Sequence, residues 1–210
     1  MTPSVVVLGS RNPAAVVLVL HGGTETSREP ATRTQAASLR MRPFAWRLRR
    51  PGVAVWQVRY RVRGWNGAER SPVHDAQWAL DEVRRRHGAV PVVLLGHSMG
   101  GRAAVHVLGD RSVVGMVALN PWLPSEPTEQ AAGRRIVVAH AIDDTTTKPA
   151  QSLAWATAAA PIALSTGYVA VRRSDHGMLR RSRLWHRLAF TSVQEVLAGK
   201  GTAGLHRSEV

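Results

Sequence analysis

Val90-Pro91-Val92-Val93-Leu94-Leu95-Gly96-His97-Ser98-Met99-Gly100-Gly101 passes from an apolar run through a glycine-flanked serine toward a helix. Val92 to Leu95 is a short apolar run bounded by Pro91 and Gly96, suited to a strand buried on both faces of a parallel sheet. Arg102 to Leu108 beyond it reads as helix. Gly-x-Ser-x-Gly between strand and helix has a steric cause. The residue at the turn is forced to φ > 0, its side chain projects above the sheet, and the residues two positions away must be small. Gly96 and Gly100 meet that demand around Ser98. The Met99 N–H, at the start of the helix, has no intrahelical partner and is free to donate to an anion. Ser98 is thus a candidate nucleophile and Met99 a candidate anion donor.

Toward the N-terminus, Ser71 to Arg86 predicts a helix with Ser71 as N-cap and Pro72 at the first helical position. Before it, Val53 to Tyr60 predicts a strand, and Thr32 to Arg50 a helix that Pro43 should bend or divide. Ala14 to Leu20 is a second buried strand and ends in His21-Gly22-Gly23-Thr24. Two glycines there let backbone approach a ligand closely, and Gly23 is placed to supply a second anion-binding N–H. His21 is read as bracing this loop. Ser4 to Leu8 predicts an edge strand.

Toward the C-terminus, strands are predicted at Val113–Leu119, Ile136–Ala139 and Tyr168–Val171, with helices at 150–159 and 179–197. The loops leaving them carry Asn120-Pro121-Trp122, Asp143-Asp144 and Asp175-His176-Gly177. Alternating strands and helices predict a doubly wound, mostly parallel α/β sheet of about seven strands with helices on both faces and no lid domain. The chain reads as one domain over 1–198 and a flexible tail over 199–210. Ligands in such sheets sit at the carboxyl ends of strands, where Ser98, Gly23, Asp143-Asp144 and His176 all fall. Trp65 and Trp122 leave the same edge and are candidate pocket walls, Trp65 equally a core residue. Trp46 and His97 read as packing residues, and the remaining histidines as surface or helix-face residues.

Composition narrows the field. There is no cysteine, which excludes disulfides, thiolate nucleophiles and cysteine metal sites. No apolar run approaches the roughly 20 residues of a membrane span, and the first residues lack the basic and apolar regions of a secretory signal, so a cytoplasmic protein without membrane partners is expected. The net charge of +14 invites a nucleic-acid reading. Yet the excess is almost wholly arginine spread over helices and loops, without zinc, helix-turn-helix or stacking-aromatic signatures. Solvated arginine-rich faces are expected, with attraction of anionic substrates as a lesser alternative.

Serine, acid and histidine in that chain order are the set nucleophilic acyl chemistry requires. With His21-Gly22-Gly23, the Gly96–Gly101 turn and Asp175-His176-Gly177, the chain from Ala14 to Leu197 resembles the α/β-hydrolase superfamily. It is similar to small lidless bacterial members of the dienelactone-hydrolase-like and carboxylesterase-like groups. His140-Ala141-Ile142-Asp143-Asp144 with Pro149 matches the family's His-Gly-x-x-Asp pattern, Ala141 replacing glycine. The resemblance implies a Ser98–Asp144–His176 triad, with Asp143 as the alternative acid, an oxyanion hole from Gly23 and Met99, no metal or cofactor, and a small-molecule ester substrate. Acyl transfer by the same residues, and a binding protein without turnover, stand as alternatives.

Overall fold

The computed structural model describes residues 2–201 and 204–210. In chain order the elements are β1 (Ser4–Gly9), β2 (Ala15–Leu20), α1 (Ala36–Arg47), β3 (Val53–Arg59), α2 (Ser71–His87), β4 (Val92–His97), α3 (Met99–Val107), β5 (Val113–Leu119), β6 (Arg135–Ala141), α4 (Pro149–Ala159), β7 (Ser165–Val171), α5 (Ser182–Leu197) and β8 (Leu205–Glu209). The strands form one sheet in the order β1-β3-β2-β4-β5-β6-β7-β8. Only β1 runs antiparallel to its neighbour. From β2 the chain passes outward to β3, then returns to place β4 on the other side of β2. That reversal opens a crevice at the carboxyl ends of β2 and β4, the switch point where open α/β sheets bind ligands.

Strand alternation divides the core. Val16, Leu18 and Leu20 of β2 pack with Leu80, Val105 and Trp155 on the side of α2, α3 and α4. Val17 and Val19 pack with Met41, Phe44 and Trp185 on the side of α1 and α5. Because both faces are covered, β2 and β4 are buried at every residue, which is why they read as unbroken apolar runs.

Four local expectations are corrected. Ser71 begins α2 rather than capping it. The cap is Arg70, at φ 44°, while Ser71 Oγ lies 3.2 Å from Asn66 Nδ2. Pro43 does not divide α1, which runs unbroken from Ala36 to Arg47 with the proline on its exposed side. Trp46 is 63% exposed, not packed. The segment read as a frayed tail contributes β8, parallel to β7, so the sheet has eight strands. Arg172 N and Val210 N continue that ladder by donating to Val210 O and Ala170 O. A tail that covers the outer edge of β7 satisfies backbone groups that sequence polarity alone does not register.

Candidate active site

Ser98 stands between β4 and α3 at φ 54°, ψ −121°. The flanking glycines are there because nothing larger fits. A Cβ on Gly96 would lie 2.5 Å from Gly100 O, and one on Gly100 would lie 2.1 Å from Leu20 O. The His21-Gly22-Gly23 loop stands against this turn. A Cβ on Gly22 would be 3.3 Å from Ser98 Cβ, and one on Gly23 would be 2.3 Å from Met99 Cε. His21 braces the loop as expected, its Nδ1 donating to Gly22 O at 2.6 Å and its ring packed on Tyr60. Burial, only partly offset by that bond, lowers its pKa to about 4.

Three side chains distant in sequence converge above the sheet edge. Ser98 Oγ lies 3.0 Å from His176 Nε2, and His176 Nδ1 lies 2.7 Å from Asp144 Oδ2. A carboxylate only accepts, so Nδ1 carries the proton, and Nε2 is left as the acceptor for the serine hydroxyl. Asp143 turns outward and accepts from Arg173 N. Of the two candidate acids, Asp144 is the one brought to the histidine.

Asp144 is held from several directions. Thr146 N and Thr147 N donate to Oδ1 at 2.8 and 3.0 Å, Thr147 Oγ1 donates to Oδ2 at 2.8 Å, and His140 Nε2 lies 3.3 Å from Oδ2. Burial alone would raise its pKa. Hydrogen bonds from His140, His176 and Thr147 together outweigh that and hold the carboxyl well below the usual carboxylate range. His140, buried on β6, is fixed in turn by Ser152 Oγ at 2.7 Å.

Asn120, at φ 43° just after β5, was legible only as part of a loop. Its Oδ1 accepts from Ala141 N at 2.8 Å, and its Nδ2 donates to Asp175 O at 3.2 Å and His176 O at 3.0 Å. His97, read as a packing residue, is buried and also places Nε2 3.0 Å from the same His176 carbonyl, its ring centroid 5.0 Å from that of His176. Burial, and then the neighbouring His176, lower the His97 pKa to about 3, so it is a neutral donor. The Gly-His-Ser spelling marked this residue, but no periodicity carries the fact that its ring crosses to another loop.

The two candidate pocket tryptophans differ. Trp65 is 3% exposed and belongs to the core, while Trp122 is partly buried. The Arg102 guanidinium lies between them, 4.0 Å from the Trp65 ring centroid and 4.3 Å from that of Trp122. Arg102 pairs with Glu126, which also takes His106 Nε2 at 2.5 Å. His106, on the face of α3, is therefore held against the Glu126 carboxylate. Among the described residues, no three His, Asp or Glu side chains converge as a metal site requires.

This frame of a parallel sheet, a serine on a strained strand-to-helix turn and a histidine hydrogen-bonded to a carboxylate is that of the α/β-type serine hydrolases. The family model for serine aminopeptidase, S33, matches residues 11–152, and the chain belongs to that family of the α/β-hydrolase superfamily. No curated protein matches the sequence significantly. Among solved structures it is similar to a lidless α/β serine hydrolase from Xanthomonas campestris (15% identity, 92% of this chain and 88% of that one, TM-score 0.70). A Thermogutta terrifontis esterase with butyrate bound (15%, 94% and 89%, 0.70) and Est1E of Butyrivibrio proteoclasticus with ferulic acid bound (12%, 93% and 96%, 0.70) are also similar. At these identities the likeness establishes the fold.

Proposed function

We propose that this chain hydrolyses carboxylic esters through an acyl-enzyme on Ser98. The observation that carries the reading is the unbroken path from Ser98 Oγ to His176 Nε2 at 3.0 Å and from His176 Nδ1 to Asp144 at 2.7 Å. His176 takes the hydroxyl proton as Oγ bonds to the ester carbonyl carbon, and the negative charge moves to the carbonyl oxygen. The N–H groups of Gly23 and Met99 hold that oxygen, each contributing about 3 kcal/mol of barrier lowering. Collapse breaks the bond to the alcohol, which leaves with the proton from His176. Water then attacks the acyl carbon, passes its proton to His176, and Ser98 leaves with a proton restored. Asp144, kept ionised by its neighbours, stabilises the imidazolium formed in each half-reaction.

The family description favours a second reading, removal of an N-terminal amino acid from a peptide. That chemistry calls for a carboxylate free to hold the substrate amine. On this edge Glu126 is taken up by Arg102 and His106, while Glu25, Asp143 and Asp175 have no cationic side chain paired with them among the described residues, so the peptidase reading is kept as an outcome of the test. The likeness to esterases holding butyrate and ferulic acid favours the ester reading. Ser98→Ala is expected to abolish hydrolysis of p-nitrophenyl esters and labelling by a fluorophosphonate probe. Undiminished labelling would show another nucleophile. Aminoacyl-p-nitroanilide turnover exceeding ester turnover would favour the peptidase, and ester formation with an added alcohol acceptor would reveal acyl transfer.

A further inference from the structure

The arginine excess is distributed unequally over the two sides of the sheet. Residues 30–68 contain nine arginines and no aspartate or glutamate, and residues 176–194 four arginines, with Glu195 the one acidic residue of α5. Of these thirteen arginines, only Arg61 and Arg63 form ion pairs among the described residues, with Asp75 and Glu29. Across the sheet, α2 and α3 carry paired arginines. Arg84 pairs with Asp81 and Asp110, Arg85 and Arg86 with Glu82, and Arg102 with Glu126. The unneutralised side is one surface, because α1 and α5 pack together, with Phe44 edge-on to His186 at 4.4 Å. Its field reaches inward: burial, then Arg47 and Arg40, lower the His186 pKa. Surfaces of soluble domains ordinarily intersperse both signs, and a one-signed field repels itself. An anionic partner would relieve that repulsion.

The same surface is not purely ionic. Leu39 and Trp46 on α1, Phe190 on α5 and Leu179 just before α5 stand exposed among the arginines, Trp46 and Leu179 at 63% each. Beside Trp46 opens a cavity of about 400 Å³ lined by Val6 and Leu8 together with Arg33, Arg42 and Arg59. Guanidinium groups alternating with protruding apolar side chains match the interfacial zone of a bilayer. There phosphates lie beside the first acyl methylenes and tryptophan is at home. A nucleic acid would use the guanidinium groups but leave Leu39 and Leu179 in water.

We infer that the α1–α5 face docks on an anionic phospholipid bilayer. The full chain is therefore expected to sediment with vesicles of phosphatidylcholine containing about one third phosphatidylglycerol, and not with phosphatidylcholine alone. Replacing Arg42, Arg47, Arg183 and Arg187 together by glutamine should weaken partitioning by about six-hundredfold, since each surface arginine contributes roughly fivefold. Trp46→Ser with Leu179→Ser should remove the binding that survives at about 0.5 M salt, where surface charge is screened. Both variants should melt as the parent does and keep its activity on a soluble ester. The inference is overturned by equal sedimentation with neutral vesicles, by no sedimentation at all, or by full binding of the arginine variant. Full high-salt binding of the Trp46/Leu179 variant also overturns it. So does displacement by a short DNA duplex that binds more tightly than the vesicles, which would mark a nucleic-acid face instead.

Discussion

Asn120 ties together three backbone groups from two loops: Ala141 N at the end of β6 and the carbonyls of Asp175 and His176. Two of its three bonds require an N–H donor. Asn120→Asp keeps the size, the acceptor for Ala141 and tolerance of positive φ, but it turns a carboxylate on the two carbonyls. The His176 loop should shift, and kcat for ester hydrolysis should fall by about tenfold to a hundredfold with little change in KM. Steady-state kinetics with an unchanged melting profile would show that the loss is one of positioning. Glu126 is a different case, because its carboxylate is buried between Arg102 and His106. Glu126→Gln leaves a cation poorly matched in a low-dielectric site and should cost about 3 kcal/mol, read from urea unfolding.

At the level of elements, the β4–α3 junction is the tightest packing in the site. Gly100→Ala would press a methyl to 2.1 Å from Leu20 O, a backbone atom of a buried strand that cannot yield. A loss of at least about 3 kcal/mol is expected, with ester turnover lost as β2 and β4 separate. Gly167 in β7 is the control, since its added Cβ would meet Val137 Cγ2 at 3.8 Å, ordinary contact. Gly167→Ala should be neutral or stabilise by about 0.5 kcal/mol through the unfolded chain. Paired melting curves of the two variants separate steric exclusion from a generic sensitivity to glycine replacement. Much of this was legible, because glycine spacing around a serine between strand and helix is a local constraint. The α2 cap was not, since Arg70 takes it through a left-handed backbone rather than through a capping side chain.

The whole molecule carries a pH dependence set by two buried neutral histidines. His21 and His97 have pKa values lowered to about 4 and about 3. Between those values and the unfolded value near 6.5 the unfolded chain binds more protons than the native one, so stability falls as pH falls. From pH 7 to pH 5 each should remove about 2 kcal/mol. Asp144 adds loss of the same sign only lower down, as pH drops below the unfolded carboxylate value and on toward its own depressed one. Urea midpoints at pH 7 and 5 test this: His97→Asn should flatten about half of the slope, and a parent protein equally stable at both values would contradict the histidine assignment. No described helix is long and apolar enough to cross a membrane.

The parallel α/β frame, the serine turn and the carboxyl-edge position of every candidate residue follow from the amino-acid order alone, because apolar runs and glycine spacing are local and each strand's exit is set by chain direction. Only the tertiary structure decided that Asp144 rather than Asp143 faces His176, that His97 and Asn120 grip the histidine loop, and that residues 205–209 close the sheet. It also decided that the arginines of α1 and α5 share one surface. These depend on which segments meet across the sheet, and contacts between residues 20 to 80 positions apart leave no periodic mark in the chain.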